Sequence, residues 1–257
     1  MNKKVLSVVG VAVAGLPLGD VDAGAATGLR RLLADHGVLV MPGQQVDDAG
    51  FLAFLKQFGE LTFTKGETPV AGFPDLNLIS NAGRKTPPRS VFHVDTSYVR
   101  QPPAYTALRA VTIPARGGET LFTNQYRAYE TLPAEVRARL AGRTIRHEVT
   151  GLNLSAGDET AADHPVFRRH PLSGRLSLYI STPERCVSVS GMSAARGREM
   201  IEYLYAHSTD AANTYRHVWS PGDVVMWDNR CVLHRADHAH VTGNRIMHRG
   251  MVSACAS

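Results

Sequence analysis

Short runs of Val, Leu, Ile and aromatic residues, each halted by Pro, Gly or a polar cluster, recur along this chain and restrict it to a fold of many short strands. Val38–Met41 stops at Pro42-Gly43, and residues 105–113 and Thr120–Asn124 flank a turn containing Pro114, Gly117 and Gly118. Residues 167–170 and 175–180 read as a hairpin, and further strands are expected at 76–80, 144–149, 215–219, 224–227, 231–234 and Ile246–Val252. Helical spacing is rarer. It covers Ala23–His36, with Leu29, Leu32 and Leu33 on one face, and a segment capped by Asp47 or Asp48 that carries Phe51, Phe54, Leu55 and Phe58. Two more helices are expected at 132–140 and 194–207. The polar stretches 81–90 and 151–163 read as loops, the second as a mobile lid over a site. The sum is a mostly β fold with flanking helices, in which a sandwich or barrel forms the core.

The 257 residues fit one domain, 1–257, and 44% hydrophobic with 20% charged residues excludes general disorder. The net charge of +5 is dispersed, and its densest clusters are Arg30-Arg31 and Arg168-Arg169-His170. That argues against a nucleic-acid partner and suits a small anionic substrate. Residues 1–19 begin Met-Asn-Lys-Lys before an apolar stretch, as a secretory signal does, but Gly10, Gly15 and Pro17 break the stretch and its Val content favours a strand. It is too short to span a bilayer, so no membrane partner is expected. Cys186, Cys231 and Cys255 are odd in number and form no CxxC pair, which excludes a disulfide scaffold and suits the cytoplasm. Eleven histidines make metal chemistry worth seeking.

Three segments carry that chemistry. In Phe92-His93-Val94-Asp95, a strand would present His93 and Asp95 on one face. His234 closes an apolar run that begins after Asn229-Arg230. Two His and one carboxylate are the facial triad of non-haem Fe(II) oxygenases, which leaves positions open for a co-substrate and O₂. Arg245 and Arg249 lie four apart, so one strand face can turn both inward. An inward Arg needs an anion, because an unpaired buried charge is too costly. The same His₂Asp set also serves a zinc-dependent hydrolase, and a non-catalytic jelly-roll binding protein is the third reading.

Several segments together resemble the taurine dioxygenase and 2,4-D dioxygenase family of Fe(II)- and 2-oxoglutarate-dependent oxygenases. They are His93-Val94-Asp95-Thr96-Ser97-Tyr98, Gly117-Gly118-Glu119-Thr120, Trp227-Asp228-Asn229-Arg230 with His234, and Arg245-Ile246-Met247-His248-Arg249. The resemblance covers nearly the whole chain and implies a double-stranded β-helix (jelly-roll) core. It implies Fe(II) on His93, Asp95 and His234, and 2-oxoglutarate on Thr120 and Arg245, with Arg249 shared between co-substrate and substrate. It places Trp227 beside the iron and makes Tyr179 and Val149 substrate-pocket walls. Asn229 and Asp228 are candidates to orient the ligands, and Lys65, Arg89 and Arg168 are candidate extra cations for an anionic substrate.

Two departures set taurine itself aside. The taurine enzyme's loop His is missing from Thr62-Phe63-Thr64-Lys65, and Arg89 replaces its Asn four residues before the first ligand. The expected reaction consumes 2-oxoglutarate and O₂, releases succinate and CO₂, and most simply hydroxylates a C–H bond, as in natural-product or amino-acid tailoring. A homo-oligomer is compatible with this class.

Overall fold

The computed structural model describes residues 1–83, 90–152 and 154–253. Arg89 and Cys255 lie outside the described residues, as does much of the expected 81–90 loop. The architecture is mostly β, with five α-helices laid against the sheets.

A nine-stranded sheet forms the body. From one edge its order is Asn2–Val5, Val11–Ala14, Val38–Met41, Val224–Asp228, Tyr105–Thr112, Ile246–Val252, Phe73–Ser80 and Pro69–Val70, with Leu61–Thr62 pairing beside Ile246–Val252. A three-stranded sheet, Thr214–His217, Thr120–Asn124 and Val232–Ala236, is antiparallel throughout. The first nineteen residues therefore supply two strands rather than the single one expected.

The central strands are buried on both faces, and the strand period of two divides their side chains. Leu39, Met41, Val224 and Met226 face a core with Leu29, Leu33, Phe51 and Phe54 of the helices Ala23–His36 and Asp48–Lys56, and with Phe58 just beyond the second helix. Val38, Val40, Val225 and Trp227 face the other way, onto Phe122 and Val232 of the three-stranded sheet. Asp47 caps the second helix by accepting from Gly50 N at 2.8 Å, which settles the choice between it and Asp48.

One expectation needs correction, and two elements appear where none was expected. Helix Gln125–Thr131 follows directly on strand Thr120–Asn124, because the Asn124 side chain accepts from Arg127 N and caps it. The expected lid is only partly a loop: Ala161–Pro165 is a strand paired with Thr144–Glu148, with Ala162 and His164 turned inward. Cys186–Val189 then pairs on the other side of Thr144–Glu148, a strand the sequence reading did not anticipate.

Candidate metal centre and co-substrate cavity

His93 and Asp95 do not share a regular strand. His93 makes a single bridge to His234, with reciprocal backbone bonds of 3.0 and 3.1 Å, and the chain then turns at Asp95. Thr96 follows with φ of 43°, a left-handed conformation that a β-branched residue rarely adopts and that a rigid site must sustain. The bridge brings the two imidazoles together, ring centroids 4.3 Å apart. His93 Nε2 lies 3.7 Å from Asp95 Oδ1, and His234 Nε2 lies 3.7 Å from Oδ2. One ligand atom from each of the three residues lies within 4.8 Å of the others.

These residues fit a divalent transition metal. His93 Nδ1 is 2.9 Å from Val91 O, so it carries the ring proton and leaves the Nε2 lone pair facing Asp95. Burial pushes the His234 imidazole down to about 3, which keeps it neutral, the form a metal needs. Burial alone would raise the Asp95 carboxyl, but His234, Arg249 and His93 outweigh it and hold the group well below the usual range.

The carboxylate is fixed by a chain of donors. Trp227 Nε1 can only donate, and it donates to Asn229 Oδ1 at 3.1 Å. That turns the Asn229 amide nitrogen to Thr106 Oγ1 at 2.8 Å, and leaves the Thr106 hydroxyl to donate to Asp95 Oδ2 at 2.8 Å. The Trp227 ring also packs 4.4 Å from His234. Trp227 therefore packs beside His234, and Asn229 reaches Asp95 only through Thr106, a link that sequence reasoning missed. Asp228 does something else. It is wholly buried between Arg230, which donates through its backbone N, Nε and Nη2, and His170 Nε2 at 3.0 Å.

Beside the triad, a cavity of about 360 Å³ is lined by His93, His234, Thr120, Arg245, Arg249 and Trp227, among others. Arg245 precedes its strand and is buried to 2% exposure. Its Nε donates to Gly118 O at 2.8 Å and its Nη2 to Thr120 Oγ1 at 3.2 Å. Gly118 is required here: its φ is 81°, and a Cβ would come within 3.0 Å of Arg245 Cδ. No carboxylate among the described residues pairs with Arg245, and burial lowers its guanidinium to about 10. Trp219 Nε1 donates to the same Thr120 oxygen at 3.0 Å, a second partner the sequence did not single out.

On the far side of His93 a second cavity, also about 360 Å³, is lined by Thr64, Thr150, Leu152, Thr182, Arg185 and others. His93, Glu67 and Arg249 border both spaces. Arg249 does turn inward, but protein acids already meet it: Nη1 donates to Asp95 Oδ1 at 3.2 Å, and Nη2 forms a close pair with Glu67. Burial raises the Glu67 carboxyl although Arg249 opposes it. Glu67 and Arg185 went unnoticed in the sequence, since neither belongs to a motif.

Four residues expected near the substrate line neither of these two cavities. Tyr179 is fully buried, stacks on His147 and meets His164 edge-on. The Arg168 guanidinium lies over the Tyr179 ring. Lys65 is largely exposed and pairs with Asp158. Val149 donates from its backbone to Thr160 O, and its neighbour Thr150 is the residue that reaches the cavity.

Residues 3–251 match the family described as taurine catabolism dioxygenase TauD, TfdA. The chain is 32% identical to an alpha-ketoglutarate-dependent 2,4-dichlorophenoxyacetate dioxygenase of Burkholderia sp., over 82% of this chain and 80% of that protein. It is 32% identical to pentalenolactone F synthase of Streptomyces arenae, over 89% and 86% of the two chains. A crystal structure of a taurine dioxygenase from Burkholderia xenovorans superposes with a TM-score of 0.86 at 31% identity, covering 98% of this chain and 90% of that one. No helix among the described residues is long and apolar enough to cross a membrane.

Proposed function

The chain belongs to the taurine catabolism dioxygenase TauD, TfdA family, a group of alpha-ketoglutarate-dependent non-haem iron oxidoreductases, and from that premise we propose that it hydroxylates a C–H bond of a small acid other than taurine. The observation that carries this reading is the buried Arg245, which no carboxylate among the described residues meets, opening into the same cavity as His93 and His234. A dicarboxylate that reaches the metal with one end meets Arg245 and Thr120 with the other. The jelly-roll core proposed for this architecture is supported by a largely antiparallel nine-stranded sheet packed through Trp227 onto Phe122 of the antiparallel three-stranded sheet.

Each residue has a task. His93, Asp95 and His234 would hold Fe(II) and leave it positions for other ligands. With 2-oxoglutarate and O₂, the iron supplies the oxidising power that inserts oxygen into a C–H bond and releases succinate and CO₂. Thr120 has both lone pairs engaged by Trp219 and Arg245, so its O–H points its proton toward an incoming carboxylate. Arg245 binds that carboxylate as a charge-assisted pair. The Trp227–Asn229–Thr106 chain keeps Asp95 in one orientation while the other groups exchange. Leu108 and Ile79 wall the cavity and limit water.

A panel of small acids, scored by succinate release in the presence of Fe(II), 2-oxoglutarate and O₂, tests the reading. At least one acid should stimulate release, and His234→Ala should abolish it. Stimulation that survives His234→Ala would defeat the assignment.

A further inference from the structure

We propose that Glu67 sets the substrate class of this site: it occupies Arg249 and selects an acid that also carries a cationic group, such as an amino acid. The proposal rests on the oxygenase reading above and deepens it. Arg249 lies on the border of the second cavity, where a simple anionic substrate would seek it. Its guanidinium already meets two carboxylates, Asp95 at Nη1 and Glu67 at Nη2, and Nη2 also donates to Thr64 Oγ1 at 3.3 Å, which leaves only Nε without a partner. An anion arriving there meets the Glu67 carboxylate and is repelled by it.

The second oxygen of that carboxylate has no hydrogen-bond partner among the described residues, and the side chain keeps 29% of its surface exposed. It therefore presents a negative acceptor to the cavity. A cationic donor on the substrate would complete its bonding, and an ammonium is the smallest such group.

The substrate's own acid then has a different receptor. Arg185 lines the same cavity, with Nη1 donating to Val94 O at 2.9 Å and its guanidinium over the Tyr98 ring. No carboxylate among the described residues pairs with it, and its buried Nε has no partner. Glu67, paired through one oxygen only, and Arg185, which no described carboxylate meets, line a single cavity and match a zwitterion. The acids named for the relatives, 2,4-dichlorophenoxyacetate and phenoxypropionate, carry no cation.

Calorimetric titration of the full chain, loaded anaerobically with Fe(II) and 2-oxoglutarate, decides the matter without turnover. The probes are 2,4-dichlorophenoxyacetate and the proteinogenic amino acids, each paired with its des-amino acid. Glu67→Gln keeps the size of the side chain and removes its charge. It should tighten 2,4-dichlorophenoxyacetate binding at least tenfold. The wild type should bind at least one amino acid tenfold more tightly than its des-amino partner. Glu67→Gln should erase that preference, and Arg185→Gln should weaken the same amino acid at least tenfold. The proposal requires all of these results. An equal response of wild type and Glu67→Gln to the chlorinated acid overturns it, as does the lack of an amino-acid preference in the wild type or its survival in the variant. Failure to bind 2-oxoglutarate in the loading step would instead strike the oxygenase reading itself.

Discussion

The indole Nε1–H of Trp219 donates to Thr120 Oγ1 over 3.0 Å, and Arg245 Nη2 donates to the same oxygen over 3.2 Å. The hydroxyl proton of Thr120 is left to serve the carboxylate proposed to bind beside Arg245. Trp219→Phe keeps an aromatic ring and removes the donor, so Thr120 becomes free to rotate. The loss of one hydrogen bond is worth about 0.5–1.5 kcal/mol, a weakening of 2-oxoglutarate binding between about twofold and tenfold. Arg245→Ala removes one side of a desolvated charge pair and should cost about 2–5 kcal/mol. Calorimetric dissociation constants for 2-oxoglutarate should rank wild type, Trp219→Phe and Arg245→Ala in that order. An Arg245→Ala protein that binds as tightly as wild type would remove Arg245 from the site.

Thr106 governs the metal ligand without touching the metal. Its hydroxyl is the last donor in the chain from Trp227 through Asn229 to Asp95 Oδ2. Thr106→Val keeps the shape and cuts that chain. Partners that orient metal ligands typically contribute 10- to 100-fold in affinity, so Fe(II) binding should weaken by about that factor. An unchanged Fe(II) affinity would mean that packing alone orients Asp95.

His147 makes stability depend on pH. It is fully buried, its Nδ1 is 3.0 Å from Ser97 Oγ, and burial first, then His164 and Arg185, push its imidazole down to about 3. The unfolded chain takes up that proton near pH 6.5. Below that point the unfolded state binds more protons, so stability is complete above pH 6.5 and declines as the pH falls toward 3. From pH 7 to pH 5 the loss from this one group is about 2 kcal/mol. Urea unfolding should show the wild type losing more stability over this interval than His147→Gln, by about that amount. Equal losses would place the pH dependence in other groups.

Where local rules act alone, the sequence and the structure agree closely. Ala23–His36, Val38–Met41, Thr120–Asn124 and Ile246–Val252 have the same limits in both, because apolar period and bounding Gly, Pro or Asp residues fix them. Helix Gln125–Thr131 escaped because its seven residues carry no apolar stripe and its cap is the last residue of a strand. His93 and Asp95 share a site for a different reason from the one their spacing suggests: a bridge and a turn, not a strand face, direct them. Glu67, Thr106, Arg185 and Trp219 were invisible for a common reason. Each acts through a partner far along the chain, as Glu67 does through Arg249 and Trp219 through Thr120. Thr106 lies in a run of four consecutive buried residues of Tyr105–Thr112, and nothing in that run pointed to Asp95.

The most direct test is anaerobic titration of 2-oxoglutarate into protein loaded with Fe(II), followed by visible absorption. The wild type should develop a weak metal-to-ligand band that saturates with the co-substrate. His93→Ala, Asp95→Ala and His234→Ala, each still folded by circular dichroism, should lose Fe(II) and with it the band. A wild type that binds Fe(II) and 2-oxoglutarate with no band, or a His234→Ala protein that keeps the full band, would contradict the iron centre placed on these three residues.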